Sequence, residues 1–284
     1  MGDTTARRGP MKPDRTRLLY GLGLLALIAT VAIARHDLFL LALETTLRQM
    51  RRGGTVRLKL LGEIVLFGGF LLLTLRVIPA GIRPARDLAL FLAASVAGYA
   101  VEAWGTRTGL WSYYTGEAPP LWIVPGWPLG ALIFDRVAPR AREAFSRRIP
   151  ERWQVVGYWA LAAAALLAFL RFSVPAMGHP GTWAVFAALA AAFVCGREPK
   201  RDFWLIVTGM VYVFFADFWG TTNNCWRYYI QDHRSFGSLI TGVGFGMLFD
   251  TAVILASMRV AGRIAPGSAR PHEDRKRPSA SPDT

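Results

Sequence analysis

Long apolar stretches alternate along this chain with short, arginine-rich connectors. A helix that crosses a bilayer needs about 20 mostly apolar residues, and stretches of that kind lie at 18–34, 59–80, 86–105, 119–135, 154–175, 181–196, 202–220 and 236–258. They predict an all-α fold, a polytopic transmembrane helical bundle of about eight spans. Between the first two, Phe39, Leu40, Leu43, Leu47 and Met50 recur at helical spacing, which predicts an interfacial helix over 38–50. The run 119–130 holds Pro119, Pro120, Pro125 and Pro128, which predicts a kinked or partly broken fourth span. Four segments result: a basic tail at 1–17, halves of the membrane domain at 18–150 and 151–263, and a Pro, Ser and Arg-rich tail at 264–284, expected to be disordered.

Charge adds an orientation. The chain has 284 residues and a net charge of +14, but its basic residues sit in connectors and tails, not along one helix face, so nucleic acid is not an expected partner. Arg136, Arg140, Arg142, Arg147, Arg148 and Arg152 follow the fourth span; Arg197, Lys200 and Arg201 follow the sixth; Arg259 and Arg263 follow the eighth. By the positive-inside rule these connectors and the basic N-terminus are cytoplasmic, as in a multi-pass protein of the cell inner membrane. Arg48, Arg51, Arg52, Arg57 and Lys59 break the rule on this count. The first apolar run, ending Ala32-Ile33-Ala34, also fits a cleavable signal peptide.

One motif occurs twice. EAWGTRTGLWSYYTGE at 102–117 and DFWGTTNNCWRYYIQD at 217–232 align without gaps at a shift of 115 residues. The same shift aligns Arg86-Asp87 with Arg201-Asp202 and Phe134-Asp135 with Phe249-Asp250. Equivalent spans are four crossings apart on this count, so the pattern predicts two parallel repeats related by an axis along the membrane normal, with both motif loops on the outer face.

The motif supplies the candidate chemistry. Glu102 and Asp217 fall near the outer ends of their spans, where an ionisable side chain faces the bundle interior or a wet cavity. They are read as catalytic acids, or as helix-end acids paired with Arg107 or Arg227. Trp104, Trp111, Tyr113 and their copies Trp219, Trp226 and Tyr228 form either an interfacial aromatic belt or a substrate-binding wall; the fixed seven-residue interval between tryptophans favours the wall. Aromatic faces beside an acid suit a reaction through a carbocation, each ring contributing roughly 0.5–2 kcal/mol. Asp250, fourteen residues into the last span, is a third candidate, read with the substrate-binding set; Glu63 is a weaker one. Asp135 beside Arg136 reads as an ion pair, and Gly242, Gly244 and Gly246 as close helix packing. Cys195 and Cys225 lie on opposite sides on this count and are not expected to form a disulfide. His36, His179, His233 and His272 are scattered, so neither a metal nor another cofactor is implied.

An acid at a helix end, then Gly-Thr-x-Thr-Gly-x-Trp-x-Tyr, a short loop and a proline-bearing apolar helix resembles the membrane-embedded carotenoid-biosynthesis proteins. These comprise the hydratases related to bisanhydrobacterioruberin hydratase and the duplicated lycopene cyclase domains. Residues 102–135 carry the likeness and 217–250 repeat it more faintly. The resemblance implies acid-catalysed hydration or cyclisation of an isoprenoid double bond, with Glu102 similar to the family's acid and Trp104, Trp111 and Tyr113 as pocket residues. The cyclase domains have a Pro-Leu-Glu-Glu-like element where this chain reads Pro125-Gly126-Trp127-Pro128-Leu129, which weighs against cyclisation. A membrane lipid or an isoprenoid is the expected ligand. The alternative is a parallel-repeat transporter or lipid-binding protein using the same acids. Reporters fused after Arg147 and Arg263 are expected to read cytoplasmic, and reporters within 107–118 and 222–235 external; motif loops on opposite faces would overturn the parallel arrangement.

Overall fold

The computed structural model describes residues 15–51, 56–231 and 236–266. Its helices are α1 (Arg15–Ala34), α2 (His36–Arg51), α3 (Val56–Leu72), α4 (Pro84–Arg107), α5 (Gly126–Phe145), α6 (Glu151–Phe172), α7 (Pro180–Val194), α8 (Pro199–Thr222) and α9 (Phe236–Ile264). Two short strands, β1 (Trp111–Tyr113) and β2 (Trp226–Tyr228), complete it. The expectation of a disordered C-terminal tail, together with Arg7, Arg8, Lys12, Arg52, Asp232, His233 and His272, lies outside the described residues.

Among the described residues, six stretches are long and apolar enough to cross a membrane: α1, α4, α6, α8, residues 237–264 of α9, and residues 60–81, where α3 continues through a π-helical turn at Leu73–Val77. Such a chain is a multi-pass helical membrane protein. The expected eight spans exceed this number for two reasons. Helix α7 is apolar but only 15 residues long. The stretch 119–125 is not helical, and α5 starts at Gly126 and runs on to Phe145, past the expected end at 135, through Asp135, Arg136, Arg140, Arg142 and Glu143. The prolines therefore precede the helix or occupy its first turn, and do not kink a span there. Residues 36–51 do form the separate helix expected near 38–50, with Phe39, Leu40, Leu43 and Leu47 exposed along one side.

Local chemistry explains where α4 and α8 begin and end. Each has proline in its first turn, and each carries an aspartate that accepts from the backbone N–H just before the helix. Asp87 Oδ2 accepts from Arg83 N at 3.1 Å, and Asp202 Oδ2 from Glu198 N at 2.7 Å. Both helices stop at a left-handed residue, Gly109 (φ 73°) or Asn224 (φ 59°). The next N–H then returns to the last turn, Leu110 to Gly105 O at 2.9 Å and Cys225 to Gly220 O at 2.8 Å.

Helices α4, α5, α8 and α9 pack on one another as the centre of the bundle, with α6 and α7 against α8 and α9 on one side. Close approach is made at glycines. A Cβ on Gly209 of α8 would stand 2.7 Å from Phe134 of α5 and 2.8 Å from Thr251 of α9, and one on Gly98 of α4 would strike Trp127. Of the glycines expected to pack in α9, Gly242 and Gly246 face packed atoms, whereas Gly244 faces open space and is not a packing residue.

At the end of the bundle remote from the strands, a buried ion cluster joins α4 to α5. Asp135 accepts from Arg83, Arg86 and Arg136, and Asp87 accepts from Arg136 and from the hydroxyl of Tyr20 in α1. The expected Asp135–Arg136 pair is thus part of a larger network, in which every buried charge has a partner of opposite sign. Asp202 in α8 meets Arg259 of α9 in the same way.

Adding bulk at a filled position costs about 1–3 kcal/mol. Gly209→Leu is accordingly expected to lower the unfolding midpoint in detergent, while Gly244→Leu, facing open space, leaves it unchanged.

Candidate functional site

The two motifs build matching carboxyl environments. Glu102 and Asp217 lie within the last two turns of α4 and α8 and are only 4% and 5% exposed. One turn further along each helix is a glycine over which a tryptophan ring lies flat. A Cβ on Gly105 would be 2.0 Å from the Trp111 ring, and one on Gly220 2.0 Å from the Trp226 ring. In the first motif this slot lets the Trp111 indole N–H reach back and donate to Glu102 Oε2 at 2.9 Å. The threonine after each glycine turns its hydroxyl back to the carbonyl of the acid, Thr106 to Glu102 O and Thr221 to Asp217 O, both at 2.6 Å.

Tyrosine completes each pair. Tyr113 donates to Glu102 Oε2 at 2.9 Å, and Tyr228 to Asp217 Oδ2 at 2.9 Å. Both tyrosines are held by the ribbon that β1 and β2 form with each other. The strands run antiparallel with Trp111 opposite Tyr228, Ser112 opposite Arg227 and Tyr113 opposite Trp226. The backbone bonds that flank the ribbon, Tyr114 N to Cys225 O and Tyr229 N to Leu110 O, are 3.0 and 2.9 Å long. Ser112 and Arg227 are copies of each other at the 115-residue shift, and the pairs Trp111–Tyr228 and Tyr113–Trp226 are the same pair with the two halves exchanged.

The halves then diverge. Glu102 receives a third donor, the Trp127 indole N–H of α5, at 3.3 Å from Oε1. Gly242 stands at the equivalent position in α9, and α9 instead presses its backbone on Asp217: a Cβ at Gly246 would lie 1.8 Å from Asp217 Oδ2. Asp250, one helical turn beyond Gly246, forms no hydrogen bond or ion pair with any described residue.

All three carboxyl groups open on one cavity of about 160 Å³ among α4, α5, α8 and α9. Trp111, Tyr113, Trp226 and Tyr228 wall it, with Trp127 and Tyr212 completing the sides. Trp104 and Trp219 are not part of the lining. Trp104 is turned away, its N–H on Thr182 and its ring stacked on Phe169, and Trp219 meets Phe67 edge-on. Neither Arg107 nor Arg227 is the partner of Glu102, whose three donors are aromatic. Glu63 lies elsewhere, accepting from Thr46 and from Asn223 at the end of α8.

Trp127 and Tyr212 carried no signal in the sequence. Trp127 sits in a proline-rich run, and Tyr212 is one aromatic residue among several in an apolar helix. Among the described residues no group of three His, Cys, Asp or Glu side chains is placed to hold a metal ion, and no disulfide joins Cys195 to Cys225. No family model matches the chain, and neither a characterised protein nor a solved structure is significantly similar to it.

Chemically, the site offers buried carboxyl oxygens that accept from O–H and N–H donors, one carboxyl without a donor among the described residues, and aromatic faces around a small space. Removing a donor from a buried acceptor costs about 1–3 kcal/mol. Tyr113→Phe and Tyr228→Phe should each destabilise the folded protein by that amount in detergent unfolding. Tyr114→Phe, which loses bonds only to the exposed Asp37 and to Arg35, should cost less than either.

Proposed function

We propose that this protein is an integral membrane enzyme that protonates an isoprenoid double bond and adds water to the resulting cation. The reading is supported above all by two buried carboxyl–tyrosine pairs facing one aromatic-walled cavity. In this scheme the chain consists of two copies of one unit in parallel orientation in the cell inner membrane, each contributing one acid.

Oε2 of Glu102 is occupied by two donors, so Oε1, which carries only the long Trp127 contact, is the atom that holds the transferable proton. The alkene π pair takes that proton to form a new C–H bond, leaving the adjacent carbon cationic. The ring faces of Trp111, Trp226 and Tyr228 stabilise this charge. A water oxygen then bonds to the cation and releases a proton to Asp217, from which it returns to Glu102 through water. The sum is alkene plus water giving an alcohol, with both carboxyl groups restored.

Size favours hydration over ring closure. A cavity of about 150 Å³ holds benzene, so 160 Å³ takes one end of an isoprenoid chain but not an end group folded for cyclisation. A second reading, a parallel-repeat transporter or lipid-binding protein without catalytic activity, is favoured by Asp250, which lines the cavity and forms no hydrogen bond or ion pair with any described residue.

Expression in bacteria that accumulate different carotenoids separates these readings by product mass: gain of one water supports hydration, isomerisation without mass change supports cyclisation, and unchanged pigments support the non-enzyme reading. Glu102→Gln keeps shape while removing the transferable proton, so activity should fall by at least about 10²-fold with folding intact. Asp217→Asn is expected to be less severe, and Glu44→Gln on the exposed side of α2 to have no effect. Full activity in both site variants would remove acid catalysis, and loss of folding in both would assign these residues to helix ends.

A further inference from the structure

Beside the carboxyl cavity lies a second, larger space of about 480 Å³, open toward the outside of the bundle between α3, α5 and α8. Tyr212 lines both. From Ile133 to Phe145, α5 follows this groove over thirteen residues, about 18 Å for rises of about 1.5 Å. Along α8 the groove extends from Phe215 past Tyr212 to Trp204, and along α3 and its π-helical continuation from Gly62 to Leu73.

The lining has almost nothing polar left to offer. Thr208 turns its hydroxyl to Trp204 O at 2.7 Å, and the Trp204 indole donates to Gln154 at 3.0 Å. The floor at α3 includes Gly62 and Gly69, seven residues apart on one helix face, and a Cβ on either meets nothing within 4 Å. Apart from the Tyr212 hydroxyl, on the wall shared with the carboxyl cavity, this is a slot with room for atoms and no hydrogen-bonding demand, which suits hydrocarbon.

Two volumes fix the occupant. The carboxyl cavity, at 160 Å³, admits only the end of a long apolar molecule. The remainder of that molecule must lie in apolar space continuous with the cavity, and the groove is three times larger and shares a wall with it (480 against 160 Å³). We infer that the α3–α5–α8 groove binds the unreacting hydrocarbon tail of the substrate, with the ring of Tyr212 marking the point where the tail gives way to the reacting end. This rests on the acid-catalysis reading above for the identity of the substrate. It adds that the substrate is a linear chain at least three to four isoprene units long, since a tail of about 18 Å follows the groove, and that it lies along the helices.

The test uses the full chain in detergent, made as Glu102→Gln so that nothing turns over. The probe is a linear isoprenoid hydrocarbon with a diazirine at the end remote from the reacting alkene; a phospholipid with a diazirine in its acyl chain is the reference. Labelled residues are mapped by mass spectrometry. The isoprenoid is expected to label groove residues such as Val65, Val137 and Phe145. Gly69→Trp puts an indole into the groove from a position where a Cβ meets nothing within 4 Å, and loss of a few buried methylene contacts should lower that labelling about tenfold or more. Ala141→Phe, from the opposite wall, is the second blocking variant. Gly68→Trp, next to Gly69 but outside the groove, should label as the parent does.

Labelling spread around the whole apolar belt, equal loss in Gly68→Trp, or phospholipid labelling of the groove with the same sensitivity to Gly69→Trp would each overturn the assignment, the last by showing an ordinary lipid site. Failure of acid catalysis is read separately. If the parent with Glu102 intact hydrates nothing while groove labelling stays specific and blockable, the catalytic reading falls and the groove remains a hydrocarbon site.

Discussion

A carboxyl group buried in a membrane bundle is stabilised by donors, and in this protein the donors of Glu102 shape the end of the fold that carries the strands. Glu102 could have been neutralised by a nearby arginine, as Asp135 is at the other end of the same helix pair. It is met instead by two indoles and a phenol. Delivering those donors requires a glycine under Trp111, a left-handed turn after α4, and a strand that brings Tyr113 back over the helix. That strand in turn needs a partner for its own backbone, which β2 provides. Ribbon, turn and glycine slot follow from one buried acid.

This explains which parts of the site were legible in the sequence. The acid, the glycine three positions later, the threonine after it and the aromatic residues at fixed intervals each do a job that depends on local spacing, so their recurrence at a shift of 115 residues was visible without coordinates. The positions of the apolar helices were legible for the same reason, being set by composition over about 20 residues. The separate helix α2 followed from periodicity, although the start of α5 did not. Pro119, Pro120, Pro125 and Pro128 suggested a bent span, whereas they stand before the helix and in its first turn.

The remainder depends on which helices meet, and periodicity carries no information on that. Trp127 serves Glu102 from across the α4–α5 contact, and Tyr212 borders two cavities because α8 lies between α5 and α9. Asp135 and Asp250 occupy corresponding positions in sequence and have opposite surroundings. The first is enclosed by three arginines and the second faces a cavity with no partner. Trp104 and Trp219 look like Trp111 and Trp226 in sequence, but they face away from the cavity as packing residues.

The donor set of Glu102 also has a spectroscopic meaning. An indole whose N–H rests on a carboxyl oxygen has its excited-state dipole directed along that bond, so its emission responds to whether the carboxyl is charged. Trp111 and Trp127 are both in this position, one on each oxygen of the same group. The near-ultraviolet circular dichroism and fluorescence of the unlabelled protein therefore contain a direct optical signal of the charge on Glu102, one that follows its gain or loss in time without any introduced probe.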